Sequence, residues 1–244
     1  MADDNKDPKR EMRKRYEASV SAFGDKYDAC IDDIRFTFVP GEQWDSDMRD
    51  RRKNRPMYEF NKTRPVVKSV TNDMRQQSPG IVIRSTQDSN KGLAQVMQGL
   101  IRNIESQSRA DVAYDTGGFY AAAGGYGVIE IAAVYADDDV FEQDLRIMEK
   151  RDPFAIWFDN TAKAFDKRDG RWLFEELTFT REAFKRRWPD ADPVDFSPGN
   201  RPETFGDWFS EKTIRVVKYW CKHEVKKTIY QLSDGRVIDQ DDYD

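Results

Sequence analysis

The sequence predicts an α+β fold, with long helices first and a mainly antiparallel β region after them. Apolar residues recur every three or four positions through much of residues 6 to 104. From Val128 the texture changes to short β-branched and aromatic runs separated by turn residues. There is no internal repeat. We therefore divide the chain into a mainly helical region, residues 1–127, and a mainly antiparallel β region, residues 128–244, the latter incomplete at its C-terminal end.

Residues 6 to 34 place Met12, Tyr16, Val20, Phe23, Tyr27, Ile31 and Ile34 on one stripe of a long helix. Its early turns hold Lys6, Lys9, Arg10, Arg13, Lys14 and Arg15, and its later turns Asp25, Asp28, Asp32 and Asp33. That polarity opposes the helix dipole, so packing of the stripe has to supply the stability. Pro40-Gly41 ends the pattern, and a charged segment from Asp45 to Arg55 follows Gly41-Glu42-Gln43-Trp44 and stops at Pro56. Val66, Val67, Val70 and Met74 give a short helical face closed by Ser78-Pro79-Gly80, and Ile81 to Ser85 reads as a strand. Leu93, Val96, Met97, Leu100, Ile101 and Ile104 restore helical spacing. Ala113 to Gly127, rich in Ala and Gly, reads as a tightly packed helix ending at Gly124-Gly125.

Val128 to Met148 reads as a β-hairpin with an acidic turn at Asp137, Asp138 and Asp139. Extended runs follow at Phe154 to Phe158, Arg171 to Phe179, Ile214 to Cys221 and Val225 to Leu232. Thr180 caps a short helix that runs through Trp188 and stops at Pro189, and Pro193 to Phe205 reads as a surface loop. After Val225 to Leu232, a turn at Ser233 to Arg236 and a short return run at Val237-Ile238 begin a hairpin that leaves its first arm partly unpaired. We therefore expect Asp244 not to be the natural end of the working polypeptide.

Apolar residues make up 38% and charged residues 35%, so much surface faces water or partner subunits. Six Trp and fifteen Phe argue for a folded chain. The net charge of -5 excludes a general basic field, which leaves only local contacts to nucleic acid. Cys30 and Cys221 read as small buried side chains rather than a disulfide. No apolar run reaches the roughly 18 residues needed to span a membrane.

No pattern of catalysis emerges. The glycines at 117, 118, 124, 125 and 127 lack the Lys-Ser/Thr ending of a phosphate loop, and Val128-Ile129-Glu130 displaces the last glycine of a dinucleotide turn. His223, the one histidine, has no second zinc ligand and no nucleophile elbow to serve, and reads as an exposed strand residue. Asp239, Asp241, Asp242 and Asp244 suggest either a two-metal nuclease or, more ordinarily, a solvated acidic run. The clusters at residues 6 to 15 and at Arg49, Arg51, Arg52, Lys53 and Arg55 fit phosphate contacts and ion pairs equally well, and Trp44 reads as a packing anchor ahead of a stacking platform. We expect no catalytic, cofactor-binding or metal-binding residue and no cofactor.

In order along the chain stand a basic first helix, Gly41-Glu42-Gln43-Trp44, an Arg-rich segment ending Arg55-Pro56, Asn61 and the helix from Val66 to Gln77. The Gly-rich helix, Gly127-Val128-Ile129-Glu130, Asp152-Pro153 and Trp157-Phe158-Asp159 continue the series. This order resembles the N-terminal part of podovirus-type phage portal proteins over most of residues 10 to 190. The resemblance implies a structural, non-enzymatic subunit of the peripheral wing type. Such subunits form a homo-oligomeric ring, usually of twelve, at one capsid vertex of the virion, and are made in the host cytoplasm. The ring is the head-to-tail channel through which double-stranded DNA is packaged and ejected. It docks the terminase motor, capsid and scaffolding proteins, and tail or adaptor proteins, with no membrane partner. The family's chain is considerably longer and continues into channel-forming parts. The rival reading is a packaging-associated DNA-binding or nuclease protein of terminase type.

Overall fold

A computed structural model describes residues 8–77, 80–85, 91–137, 139–192, 213–232 and 237–240. Lys6, Ser78, Pro79, Asp138, the loop from Pro193 to Phe205, the turn at 233–236, and Asp241, Asp242 and Asp244 lie outside these residues.

Helix α1 (Pro8–Phe38) buries the stripe read from its spacing, with Tyr16 and Tyr27 enclosed together with Ser19, Gly24 and Thr37. The helix is anchored where its charge order is unfavourable. Arg15 donates to Tyr219 Oη at 2.5 Å, lies over the Trp172 ring at 4.8 Å, and pairs with Glu11 one turn back. Packing thus offsets the adverse dipole of the basic first turns, as the spacing required.

The partner of α1 is a three-stranded antiparallel sheet of order β3-β4-β5, formed by β3 (Ile156–Phe158), β4 (Trp172–Thr180) and β5 (Thr213–Cys221). In register, Trp157 faces Phe174 and Phe174 faces Tyr219. Alternation along each strand sends these three aromatics to the same side, against Tyr16 and Tyr27. Tyr27 lies 5.0 Å from Trp157 and Tyr16 meets Phe174 edge-on at 5.4 Å, while Trp157 and Phe174 are fully enclosed (0% exposed). Burial pushes the Tyr27 hydroxyl up to about 12 and that of its neighbour Tyr126 higher still.

The second body surrounds α5 (Ala110–Gly124). Arg109, at φ 52°, makes the left-handed turn that separates it from α4 (Lys91–Ser108). Ala110 and Ala113 pack on Ile147 of the hairpin β1 (Ile129–Tyr135) and β2 (Gln143–Glu149), whose seven residue pairs run from Ile129 and Glu149 to Tyr135 and Gln143. The chain leaves α5 at Gly125 in the left-handed region (φ 77°), and the Gly125 amide donates to the Ala121 carbonyl. At Gly127 a Cβ would stand 1.9 Å from the Gly117 carbonyl oxygen, so only glycine lets the return strand pass this close to α5.

The remaining elements are α2 (Ser46–Arg51), α3 (Thr63–Gln77), α6 (Arg181–Arg187), and the two-stranded sheet of β6 (Ile229–Gln231) and β7 (Val237–Asp239). Thr180 Oγ1 accepts from the Ala183 amide at 3.2 Å, the cap read from sequence, and Lys185, Arg186 and Arg187 fill the last turn where the dipole favours them. The fold is α+β, with antiparallel sheets throughout.

Several local expectations change. Phe154 lies in a 3-10 turn (Pro153–Ala155) capped by Asp152, because Pro153 at its start favours helical φ and supplies no amide for a ladder. Of Val225 to Leu232 only Ile229–Gln231 is strand, since only those residues have a partner arm. Cys30 and Cys221 are half-buried free thiols rather than enclosed ones, and burial followed by the nearby Asp33 raises the Cys30 thiol.

Candidate assembly surface

Helical spacing gathers apolar residues on α3 and α4, and the structure leaves much of both faces open. On α3 only Val67 and Thr71 are buried, whereas Val66, Val70 and Met74 form an exposed stripe. On α4 the C-terminal half packs against the hairpin: Ile104 joins the Ala110, Ala113 and Ile147 cluster, and Ser108 Oγ accepts from the Ile147 amide at 3.0 Å. Its N-terminal half does otherwise, with Leu93 61%, Val96 60% and Leu100 57% exposed. A helical period establishes which residues share a face but not whether a neighbour covers it.

Residues Ile81 to Ser85 correct the strand expectation. The segment forms no strand among the described residues, and its backbone is bonded by a helix side chain instead. Gln98 Oε1 accepts from the Ile83 amide at 2.6 Å, and Gln98 Nε2 donates to the Ile81 carbonyl at 2.8 Å. One carboxamide therefore does on this edge what a peptide group of a neighbouring strand would do. An open groove of about 520 Å³ lies between the segment and α4, lined among others by Ile83, Lys91, Ala94 and Arg102.

The described large apolar side chains that are exposed outnumber those that are buried, and include Tyr58, Phe60, Phe141 and Phe165. Scattered exposed apolar residues are ordinary, but aligned stripes on two helices are the mark of a surface that another surface covers.

Charge is handled differently, by local pairing. Glu175 is buried and bonded by Lys150 and, at 3.1 Å, by Lys218; Lys150 also reaches Glu130 of β1 at 3.3 Å. Burial opposes the charge on Glu175, yet its bonds to the two lysines outweigh that and hold its carboxyl below the usual range. On the other side of β4, Glu176 accepts from Trp157 Nε1 at 2.6 Å and from the Tyr16 hydroxyl, with Arg215 at 3.4 Å. These groups tie α1, the hairpin and the sheet to one another. Of them, Glu130, Lys150, Glu176 and Arg215 line a broad cleft of about 720 Å³ that holds both signs of charge.

The loop after β3 is ordered by two carboxylates. Asp159 is fully buried and accepts from the Thr161 amide at 2.8 Å, the Thr161 hydroxyl at 2.7 Å and the Arg171 amide at 2.9 Å. Burial resists its charge, but these donors together hold the carboxyl low. Asp169 accepts from the amides of Lys163 and Ala164, which lower its carboxyl in turn. The Asp159 of Trp157-Phe158-Asp159 is thus a loop organiser, a role its place just after an apolar strand end hints at.

The candidate residues from sequence do not converge. Among the first basic cluster, Arg13 pairs with Glu17 at 2.9 Å, and Arg15 is committed to the sheet. In the second, Arg49 pairs with Glu42 at 3.6 Å and Lys53 with Asp50 at 3.2 Å. Trp44 is half-buried beneath Arg52, whose guanidinium lies 5.6 Å from the ring centroid. His223 is exposed but lies past the end of β5, in the connection to β6, beside an open cleft of about 450 Å³ that Arg171 and Glu224 also line. Asp239 pairs with Lys227 across the β6 and β7 hairpin. Among the described residues no three or more His, Cys, Asp or Glu side chains gather in a way that would hold a metal ion, and no helix is long and apolar enough to cross a membrane.

Comparison with known proteins adds two findings. A family model described as phage P22-like portal protein matches residues 13–244. A portal protein of Acyrthosiphon pisum secondary endosymbiont phage 1 is 26% identical over 238 residues, which cover 88% of this chain and 32% of the relative. The chain thus spans about a third of that relative's length.

Proposed function

This chain belongs to the phage P22-like portal protein family, and on that premise we propose that it is part of a structural subunit that assembles into a ring at one capsid vertex of the virion. The ring conducts double-stranded DNA during packaging and ejection. It docks the terminase motor, capsid and scaffolding proteins, and tail or adaptor proteins. In this reading the chain is peripheral and wing-like, with a helical region at 1–127 and a β region at 128–244, and it carries no catalytic activity.

The observation that supports assembly from the structure is the open apolar surface of α3 and the N-terminal half of α4. Standard interfaces bury about 800 Å² per partner, and a closed ring needs two different surfaces on each subunit. A chain with aligned apolar residues on two helices, flanked by mixed charge, has the material for both. Paired charges at the rim add selectivity and register more than affinity.

The test is the mass of the complete polypeptide in solution by native mass spectrometry, with negatively stained particles viewed by electron microscopy. Closed rings of one subunit number are expected. A strictly monomeric species at high protein concentration overturns the assembly reading. Metal-dependent DNA cleavage that vanishes on Asp241→Asn with Asp242→Asn would replace it with the nuclease reading.

A further inference from the structure

We propose that the acidic tip of the β1 and β2 hairpin of one copy docks on a basic, aromatic platform, residues 51–68, of the next copy. The inference rests on the assembly reading above and names the two surfaces that meet.

The platform is shaped by local anchors. From Arg51 to Lys68 stand seven basic residues and one acid, in a chain whose net charge is -5. That acid, Glu59, is half-buried and accepts from the Gly41 amide at 2.8 Å, so its charge is directed at the turn after α1. Asn61 is also anchored: its Nδ2 donates to the Thr37 carbonyl at 2.7 Å, and its Oδ1 accepts from the Arg64 amide at 2.9 Å at the start of α3. Tyr58 and Phe60, which alternate with these anchors, are 72% and 81% exposed. Arg51, Arg52 and Arg55 precede the two rings, Lys62, Arg64 and Lys68 follow them, and all six are exposed. Lys53, the seventh base, pairs with Asp50.

The hairpin tip carries the complement. Residues 137–144 hold five acids and no base. The Ala136 amide donates to the Glu142 carbonyl at 2.9 Å and closes the turn, which presents Asp139, Glu142 and, 94% exposed, Phe141. A ring among acids matches two rings among bases: an aromatic centre anchors such a contact, and opposite charges around it set partner and register. The two surfaces lie toward different ends of α5. Ile129, at the base of the hairpin, packs beside Gly117, and Ile147 packs on Ala110 and Ala113. The four residue pairs from Ala132 to Tyr135 therefore run on beyond the first turn of α5, at about 3.4 Å per residue. The platform instead joins the later turns, where Arg64 lies over Phe38 and Phe38 meets Phe119. Each copy carries one surface of each sign, so a contact between the tip of one and the platform of the next is head-to-tail, of the kind that closes rings.

The experiment uses the complete polypeptide and two variants with opposite changes. Arg55→Glu with Lys62→Glu reverses the charge on either side of Tyr58 and Phe60, and Asp139→Lys with Glu142→Lys reverses it on either side of Phe141. Each variant alone sets like charges against each other at every contact. Its association, followed by native mass spectrometry across a dilution series, should weaken about tenfold or more, with an unchanged melting temperature of the dissociated subunit. Mixed in equal amounts, one of them tagged, the two variants restore opposite charges wherever they alternate, and oligomers containing both are expected at concentrations where neither assembles alone. A pairing of either surface within its own polypeptide gains nothing from mixing. If wild type assembles and either variant assembles equally well, or if the mixture stays dissociated, this contact is wrong while the assembly reading stands. Loss of DNA retention by the platform variant in a gel-shift assay, with its assembly intact, also overturns the contact and makes the platform a nucleic-acid surface. If wild type never assembles, the assembly reading itself fails and the contact with it.

Discussion

Trp157 and Phe174 have no exposed surface, whereas Leu93, Val96 and Leu100 on α4 stand more than half exposed, although the α4 residues follow the cleaner helical spacing. The difference lies in what each region meets within its own chain. Around the sheet, α1 lays one continuous stripe over one face of three strands, and Glu176 takes both the Trp157 indole and the Tyr16 hydroxyl at that contact. Among the described residues, the first half of α4 meets the segment Ile81 to Ser85, held by one carboxamide. The first region closes on itself, and the second stays open among the described residues.

Substitutions separate the two. The largest effect is expected at the centre of the closed region. Trp157→Ala should cost about 3 to 5 kcal/mol, and it also leaves Glu176 without its indole donor. Denaturant unfolding measures this, and a loss below about 1 kcal/mol would mean that the sheet core is not what holds this chain together.

A smaller loss is expected at the ionic joint between hairpin and sheet. Lys150→Met removes one of the two cations on Glu175 and should cost about 1 to 3 kcal/mol near neutral pH. The sign in acid follows from the lowered Glu175 carboxyl. Its contribution is present above the unfolded carboxylate pKa and is lost as pH falls through the depressed folded value. With Lys150 gone, burial is less opposed, so that loss should begin at higher pH. Thermal unfolding of both proteins across pH 2 to 7 measures this, and an unmoved acid transition would show that Lys218 alone sets the Glu175 carboxyl.

Thr180→Ala deletes the cap of α6 and should cost about 1 kcal/mol, with Thr180→Ser recovering most of it. Equal losses for both variants would place the effect in the β4 edge rather than in the cap.

The smallest stability effect, and the sharpest contrast, belongs to the open region. Leu100→Ser should change subunit stability by no more than about 0.5 kcal/mol while weakening association in the complete polypeptide. Sedimentation velocity reads the second effect. A large loss of stability with association intact would move α4 into the class of ordinary core helices.

Much of this molecule is legible in one dimension. The stripe on α1, the Thr180 cap, the glycine stop after α5 and the hairpin at 129–149 each depend on residues within a turn or a strand length of one another, so period and local chemistry suffice to find them. The ordered motifs that resemble portal proteins are legible for the same reason, since order along a chain is itself a sequence property. Glu175 and Glu176 were not found from sequence. Two adjacent acids in a strand look like a solvated pair until Lys150, Lys218, Arg215 and Tyr16, remote in sequence, arrive at them.

What only the tertiary structure decided is which apolar faces are covered and which extended backbone finds a partner. Val67 and Val66 are neighbours of the same kind, and one is buried while the other is exposed. Ile81 to Ser85 has the composition of a strand, but a ladder needs a second chain segment at about 4.8 Å, and Gln98 occupies the near side instead. Spacing determines the direction in which a side chain or an amide points. Burial and pairing depend on what stands in that direction, which is set by contacts between residues far apart in the chain.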